Sequence, residues 1–303
     1  MSEILVVGSL AYDSISSPEG TVEKSLGGSA NFFSIAAHHY ANVRVVGVVG
    51  GDYTDSDLQV LKSRKKIDVQ GIQKVNEGKT FHWKGKYEGD LSEAQTLQTD
   101  LNVFEHFNPE LPGEYKSSSH VFLANIDPVL QLQVLDQIKN PQLIAADTMN
   151  FWITSKLDVL KELISRIHLI FINEGEAKLL TKTTNAIAAS EELLKMGLKG
   201  VFIKRGEYGS VVRTADGLGI LPAYPVPRVF DPTGAGDSFA GACFGYLCQQ
   251  NRFDFNTLKT AVVEGTVMAS FTVEKFGLGR LVEVTPQDLE QRRKKFLQTV
   301  TFA

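Results

Sequence analysis

The chain has 303 residues, 43% apolar and 22% charged, with 35 acids against 31 bases and a formal net charge of −4. These values exclude a disordered or fibrous chain and, with no basic excess, argue against a nucleic-acid or anionic-membrane partner. Two cysteines in a chain of this length exclude a secreted disulfide scaffold.

The N-terminus, MSEILVVGSLAYDS, has no cationic segment, and its apolar run stops at Gly8, too short for a signal peptide. Nothing approaches about 18 consecutive apolar residues, so no membrane span is expected and the cytoplasm is the expected location. Ile4–Gly8 reads as a strand buried on both faces. Asn31–Tyr40 reads as a helix, Arg44–Val49 as a strand and Asp55–Lys66 as a polar-faced helix. Further strands are predicted at His120–Ala124, Leu143–Asp147, Leu169–Asn173 and Val201–Lys204. The helices between them are predicted at Pro128–Lys139, Leu157–Arg166 and Ile187–Met196. Thr285-Pro286-Gln287-Asp288 supplies an N-cap, a proline at the first helical position and an acid in the first turn of a last helix. The alternation predicts an α/β fold with a mostly parallel sheet and helices on both faces. Cys243 and Cys248 are predicted to be small buried hydrophobes of the helix Phe239–Gln249.

Two stretches interrupt this rhythm, Ser14–Leu26 and Gly78–Val103. In the second, aromatic and polar residues alternate across Phe81–Tyr87, a half-exposed antiparallel pattern. A small β-element projecting from the main sheet is expected, serving either as a plain surface hairpin or as a lid over a substrate. The lid aromatics His82, Trp83 and Tyr87 favour a substrate with a flat or apolar part.

The chemistry concentrates at 231–242, DPTGAGDSFAGA. Asp231, Pro232 and Thr233 are turn-prone, and Gly234, Ala235 and Gly236 let a ligand approach the backbone just ahead of a helix. Free N–H groups and the helix dipole favour an anion there. Asp237 would repel that anion if binding were the only purpose. It makes sense as the acceptor of a proton from a hydroxyl attacking phosphorus, or else as a helix N-cap. Other nucleotide motifs fail. Gly78-Lys79-Thr80 looks like the end of a P-loop, but Gln73 stands where that motif needs glycine. No GxGxxG follows the first strand, which argues against a dinucleotide-dependent oxidoreductase.

DPTGAGDSFAGA resembles the C-terminal signature of the ribokinase-like (PfkB-type) carbohydrate and nucleoside kinases, and the likeness extends over nearly the whole chain. Gly8-Ser9 with Asp13 resembles the family's first strand and sugar-hydroxyl acid, Gly27-Gly28 its di-glycine hinge beneath the lid, and Gly47–Asp52 the strand and turn that follow. Asn173-Glu174-Gly175-Glu176 resembles its NxxE motif, and Lys204-Arg205-Gly206 with Gly209 the strand and turn bordering the nucleotide. The resemblance implies a three-layer α/β/α sandwich over 1–303 as one catalytic domain, with a small β-lid from about 14–27 and 78–103. It implies transfer of the γ-phosphoryl of ATP to a hydroxymethyl group of a small sugar, polyol or nucleoside. A non-catalytic sugar- or nucleoside-binding sensor of the same fold is the alternative. Asp237 would be the general base and the Gly234–Asp237 backbone the anion hole. Asp13, Gly27, Gly28 and Asn31 would bind substrate, and Asn173, Glu176, Lys204, Gly206 and Gly209 the nucleotide. Glu176 would hold Mg²⁺ through water, K⁺ would sit near Asp231 and Thr233, and two copies would pair through the lid. Adenine is expected near Leu221–Pro227 and Thr266–Gly277, which includes Phe271 and Phe276. Departures from the family pattern are Phe32 where the hinge motif often has Asn, with Asn31 one residue early, Ala11 two residues before Asp13, and Arg205 where neutral residues are common. The first two point away from ribose itself.

Overall fold

A computed structural model describes residues 3–89, 91 and 94–301, so positions 90, 92 and 93 of the expected lid segment lie outside the described residues. The elements in order are β1 (Glu3–Val7), β2 (Ala11–Ser17), β3 (Gly20–Gly27), α1 (Ser29–Ala37), β4 (Asn42–Gly50), α2 (Asp55–Lys62), β5 (Ile67–Val75), β6 (Phe81–Tyr87) and β7 (Ala94–Asp100). There follow β8 (His120–Leu123), α3 (Pro128–Gln137), β9 (Leu143–Asp147), α4 (Asn150–Ser155), α5 (Leu157–Arg166), β10 (Leu169–Asn173), α6 (Glu174–Thr181) and α7 (Ala186–Lys195). The chain ends with β11 (Gly200–Lys204), β12 (Ser210–Thr214), β13 (Gly217–Leu221), α8 (Ala235–Gln250), α9 (Phe255–Thr272) and α10 (Pro286–Val300).

The large sheet has nine strands in the order β13-β12-β11-β10-β9-β8-β1-β4-β5. Pairing is parallel from β11 through to β5, and the β12–β13 hairpin adds an antiparallel edge. Because the inner parallel strands are covered on both sides, they read as continuous apolar runs, whereas the edge strand β5 does not. β1 shows why. Ile4 and Val6 face a core built with Phe33, Phe244 and Met268, while Leu5 and Val7 face a second core with Val134, Leu163 and Leu193. Two layers of helices sandwich the sheet, as the α/β alternation requires.

The second sheet has four strands in the order β3-β2-β6-β7. The antiparallel expectation for Phe81–Tyr87 holds against β7 but not against β2, which runs parallel to β6. The small sheet therefore crosses from β2 to β6 through the main sheet, and no single hairpin builds it. Its first strand begins at Ala11, which places Asp13 on β2 and not at the end of the first strand of the large sheet. No helix among the described residues is long and apolar enough to cross a membrane.

Local rules fix most boundaries. Thr285 caps α10 through a reciprocal capping box with Asp288, and Pro286 occupies the first turn. Cys243 and Cys248 form no disulfide and are fully buried in α8. β5, the β12–β13 hairpin and α9 lie outside the sequence expectations. α9 packs between α8 and α10, so it is apolar nearly all round and carries no helical stripe to read.

Stacked aromatic rings centre the larger core. Phe122 lies 4.2 Å from Phe33, 5.5 Å from Phe171 and 5.4 Å from Phe244, and Phe171 lies 4.4 Å from Phe202. Phe122→Ala should cost about 3–5 kcal/mol in urea unfolding, because rings held on several sides cannot collapse into the space left. A loss below about 1 kcal/mol would show instead that the cluster repacks freely.

Candidate active site

From β1 the chain builds outward first to β4 and β5, then from β8 to β11 on the other side. The order therefore reverses between β1 and β8, where open α/β sheets leave a crevice beyond the carboxyl ends of their strands. Gly8 ends β1 at this point. A β-carbon there would come within 2.8 Å of Ala124 after β8 and of Ser29 in α1, so only glycine lets the three segments meet.

α8 begins at Ala235, four residues before the expected start at Phe239, with Gly234 as its N-cap. Gly234–Asp237 is thus the cap and first turn of the helix, and Asp237, third residue of that turn, is not the cap. Ala235 N–H donates to Pro232 O at 3.2 Å and Ser238 N–H to Gly234 O at 2.9 Å. That leaves Gly236 N–H with no carbonyl partner among the described residues. Gly234 adopts φ +74°, and its missing β-carbon would lie 2.3 Å from the Phe32 ring. Phe32, where an Asn was expected, is the apolar floor beneath the cap. At Gly236 the neighbour is Lys204, whose Nζ lies 3.2 Å from where a β-carbon would sit.

Lys204 ends β11 and pairs with Asp147, the last residue of β9, at Nζ–Oδ2 2.6 Å. Burial pulls the Lys204 ammonium down, but Asp147, Glu176 and Asp237 push it back above its usual range, so it stays charged. Burial, with Asp147 next in weight, raises Asp237 to about 7, and Lys204 opposes the rise. Glu176 is likewise raised to about 7, chiefly by burial, with Lys204 opposing and Asp147 and Asp237 adding to the rise. Asn173 and Glu176 do share one helical turn, as a reciprocal capping box at the start of α6. Asn173 N–H donates to Glu176 Oε2 at 3.0 Å, and Glu176 N–H to Asn173 Oδ1 at 2.7 Å. Asp147 is the site residue that motif spacing missed. Its only sequence signal is an ionisable residue closing an otherwise apolar strand at the carboxyl edge of the sheet.

Asp13 faces the same crevice from β2. It is 4% exposed and lies directly on Gly27, where a β-carbon would sit 1.8 Å from Oδ2. Burial, then the charges of Asp231 and Asp237, raises it to about 8, against one hydrogen bond from Gly28 N–H. Gly28 takes φ +91° at the N-cap of α1. Asn31 Nδ2 donates to Gly27 O at 2.7 Å, so its amide holds the di-glycine turn from beneath. Trp83 pairs in register with Asp13 on the same face of the small sheet, and its ring lies over Gly85. His82 is on the opposite face, with Nε2 2.9 Å from Ser14 Oγ. Tyr87 reaches out of the small sheet to Thr233, hydroxyl to hydroxyl at 3.1 Å.

Asp231 is fully engaged, with Oδ1 accepting from Thr233 N–H at 2.9 Å and Oδ2 from Gly277 N–H at 3.0 Å. Gly206 and Gly209 form the positive-φ turn after β11, where Arg205 Nε donates to Glu174 Oε2 at 2.9 Å. Arg205 thus ties that turn to the start of α6. Tyr224 and Phe271, one from each segment expected near adenine, line one pocket with Arg280 and Arg292. Phe271 is 1% exposed and covered by Arg292, whose guanidinium lies 3.5 Å from the ring centre, because this face of α9 packs on α10. Phe276 packs against Phe230 and the β2–β3 turn at Gly20. Among the described residues no group of three or more His, Cys, Asp or Glu could hold a metal by itself. Glu176 suits Mg²⁺ held through water, since it is a buried oxygen donor with one oxygen engaged, and Mg²⁺ keeps several waters and draws ligands from phosphate.

A family model described as pfkB family carbohydrate kinase matches residues 1–284. A cytidine kinase of Thermococcus kodakarensis is 30% identical over 287 residues, covering 91% of this chain and 98% of the relative. A nucleoside kinase of Methanocaldococcus jannaschii is 23% identical over 290 residues, covering 91% and 92%. Among solved structures, the nucleoside kinase of Burkholderia thailandensis in complex with ADP-inosine superposes with a TM-score of 0.80 at 19% identity, covering 97% of this chain and 96% of that one.

The cap geometry makes its own prediction. Gly234→Ala forces a side chain into a left-handed conformation and onto the Phe32 ring. It should cost at least roughly 1–3 kcal/mol. Gly113→Ala, where nothing lies within 4 Å, should be close to neutral. Equal melting temperatures for the two variants would mean that Phe32 yields and the cap is not constrained.

Proposed function

The chain belongs to the pfkB family of carbohydrate kinases, and from that premise we propose that it moves the γ-phosphoryl of ATP to a hydroxymethyl group of a nucleoside, with Asp237 as general base. The observation that carries this reading is the position of Asp237. It sits in the first turn of α8, beside Gly236 N–H, which meets no carbonyl among the described residues, and within the fields of the partly buried Lys204 and of Asp13.

The acceptor hydroxyls meet Asp13, held on Gly27-Gly28 by the Asn31 amide. The hydroxyl to be phosphorylated gives its proton to Asp237 as its oxygen attacks phosphorus in line, and ADP leaves with the bridging oxygen. Negative charge on the transferred group meets Gly236 N–H, the positive end of α8 and the Lys204 ammonium. Glu176 would hold Mg²⁺ through water, and the ion would supply positive charge to the phosphates. Gly206 and Gly209 border the nucleotide. The preference for a nucleoside over a simple sugar or polyol is supported by the nucleoside-directed relatives. The chain then works as one catalytic domain. Its small sheet is the lid that excludes water, and the exposed edge strand β7 is the pairing edge for a second copy.

Incubation with ATP, Mg²⁺ and a pool of nucleosides, sugars and polyols should yield ADP and a phosphorylated nucleoside. Asp237→Asn should lower kcat by about 10²–10⁴ with an unchanged melting curve and nearly unchanged nucleotide affinity. Because the base must be ionised, kcat/KM of the wild type should fall as pH drops through about 7, the value to which burial raises Asp237. An Asp237→Asn variant keeping more than about a tenth of wild-type turnover would assign the base elsewhere.

Both Asp231 carboxylate oxygens are engaged within the chain, so a K⁺ ion would meet only backbone oxygens near Asp231 and Thr233. Turnover should rise when Na⁺ is replaced by K⁺ at constant ionic strength. Indifference to the exchange would remove the cation from the mechanism.

A further inference from the structure

Lys204 and Asp147 stand at the ends of β11 and β9, which are not neighbours, since β10 runs between them. To make its 2.6 Å contact, Lys204 must lay its side chain across the carboxyl end of β10. That path brings its stem along Gly236, with Cδ at 3.4 Å and Cε at 3.6 Å from where a β-carbon would lie. A long flexible side chain has many other rotamers, and holding one of them needs a fixed partner.

Asp147 is built to be fixed. Its residue is 3% exposed, its Oδ1 accepts Thr148 N–H at 2.8 Å, and its carbonyl accepts Gln131 Nε2 at 3.1 Å. Gln131, 1% exposed, also donates to Leu123 O and Ala124 O, so one buried amide ties the ends of β8 and β9 together. Oδ2 is left for the ammonium. The other anions within the field of Lys204 are Glu176 and Asp237. Were the ammonium to swing onto Asp237, it would form an ion pair with the group that must accept the proton.

We propose that Asp147 is a positioning residue that fixes the Lys204 ammonium beside Gly236, facing the transferred phosphoryl group and off Asp237. This rests on the kinase reading above and adds to it a residue that does not touch the substrate. It accounts for an aspartate at a strand end next to an anion site, where its charge alone would be a disadvantage. The carboxylate acts through the lysine.

The test is a double-mutant cycle with Asp147→Asn, Lys204→Met and the combined variant, with Asp147→Glu as the conservative control. Losing a residue that orients a charged contact group typically costs about 10- to 100-fold. Asp147→Asn should therefore lower kcat by about that factor while the acceptor KM stays within about twofold, and Asp147→Glu should recover part of the loss. In the Lys204→Met background the second change should cost nothing further, since Asp147 has no other route to the phosphate. Wild-type kcat in Asp147→Asn, or combined losses that multiply, would overturn the proposal. Melting curves identify variants that fail to fold. For those, Asp147→Glu alone decides, by whether kcat falls while the acceptor KM holds. If the wild type phosphorylates nothing in the acceptor pool, the kinase reading fails by itself. Calorimetric binding of β,γ-imido-ATP with Mg²⁺ to the same variants then decides the positioning claim. Non-additive weakening supports it, and equal affinity across the set sinks it.

Discussion

One ammonium group set among buried carboxylates governs this crevice. Asp13, Asp147, Glu176, Asp231 and Asp237 converge on the carboxyl edge of the sheet, and each is raised above its usual range by burial. Left alone, such a set would repel itself and hold protons. Lys204 opposes the rise at Asp147, Glu176 and Asp237. Asp13 and Asp231 rely instead on backbone N–H donors from Gly28, Thr233 and Gly277. The arrangement is costly without a ligand, and a site that costs stability when empty is what preorganised electrostatics requires.

Steric fit supports the electrostatics. The start of α8 takes its course only because Gly234 turns left-handed over the Phe32 ring and Gly236 leaves room for the Lys204 stem. Phe32 belongs to α1, and α1 packs on α8 as part of the aromatic core around Phe33 and Phe244. The anion site is therefore braced by the same helix pair that covers one face of the sheet. The small sheet meets this framework through Tyr87 and Thr233. A movement of that sheet would be felt directly in the loop that precedes the anion site.

Much of this could be read from the chain. The apolar runs at β1, β4, β8, β9, β10 and β11 were legible because strands covered on both faces have no polar side to interrupt them. Thr285 was legible because capping is local, decided within four residues. α9 was not, because a helix buried between two others has no polar stripe to mark its period. The start of α8 was misplaced by four residues, since Gly-Ala-Gly reads as a breaker until a glycine N-cap and tertiary packing make it a first turn. Asp13 was found as an acid and put on the wrong strand, because the chain leaves the large sheet at Gly8 and nothing local marks that departure.

By itself the sequence determined the α/β architecture, the glycine-rich turn ahead of a helix and the acids at positions 13, 176 and 237, because these depend on periodicity, on glycine and on motif spacing over a few residues. Only the tertiary structure decided which charges meet. Asp147 and Lys204 are far apart in sequence and are separated in the sheet by β10, so their contact exists only once three parallel strands are in register. The same holds for Phe32 beneath Gly234 and for Arg292 covering Phe271, a ring that position alone had suggested for adenine. Short-range patterns fix what each residue can do. Long-range packing fixes what it faces, because pairing energies between side chains act over ångströms and carry no trace in the linear order.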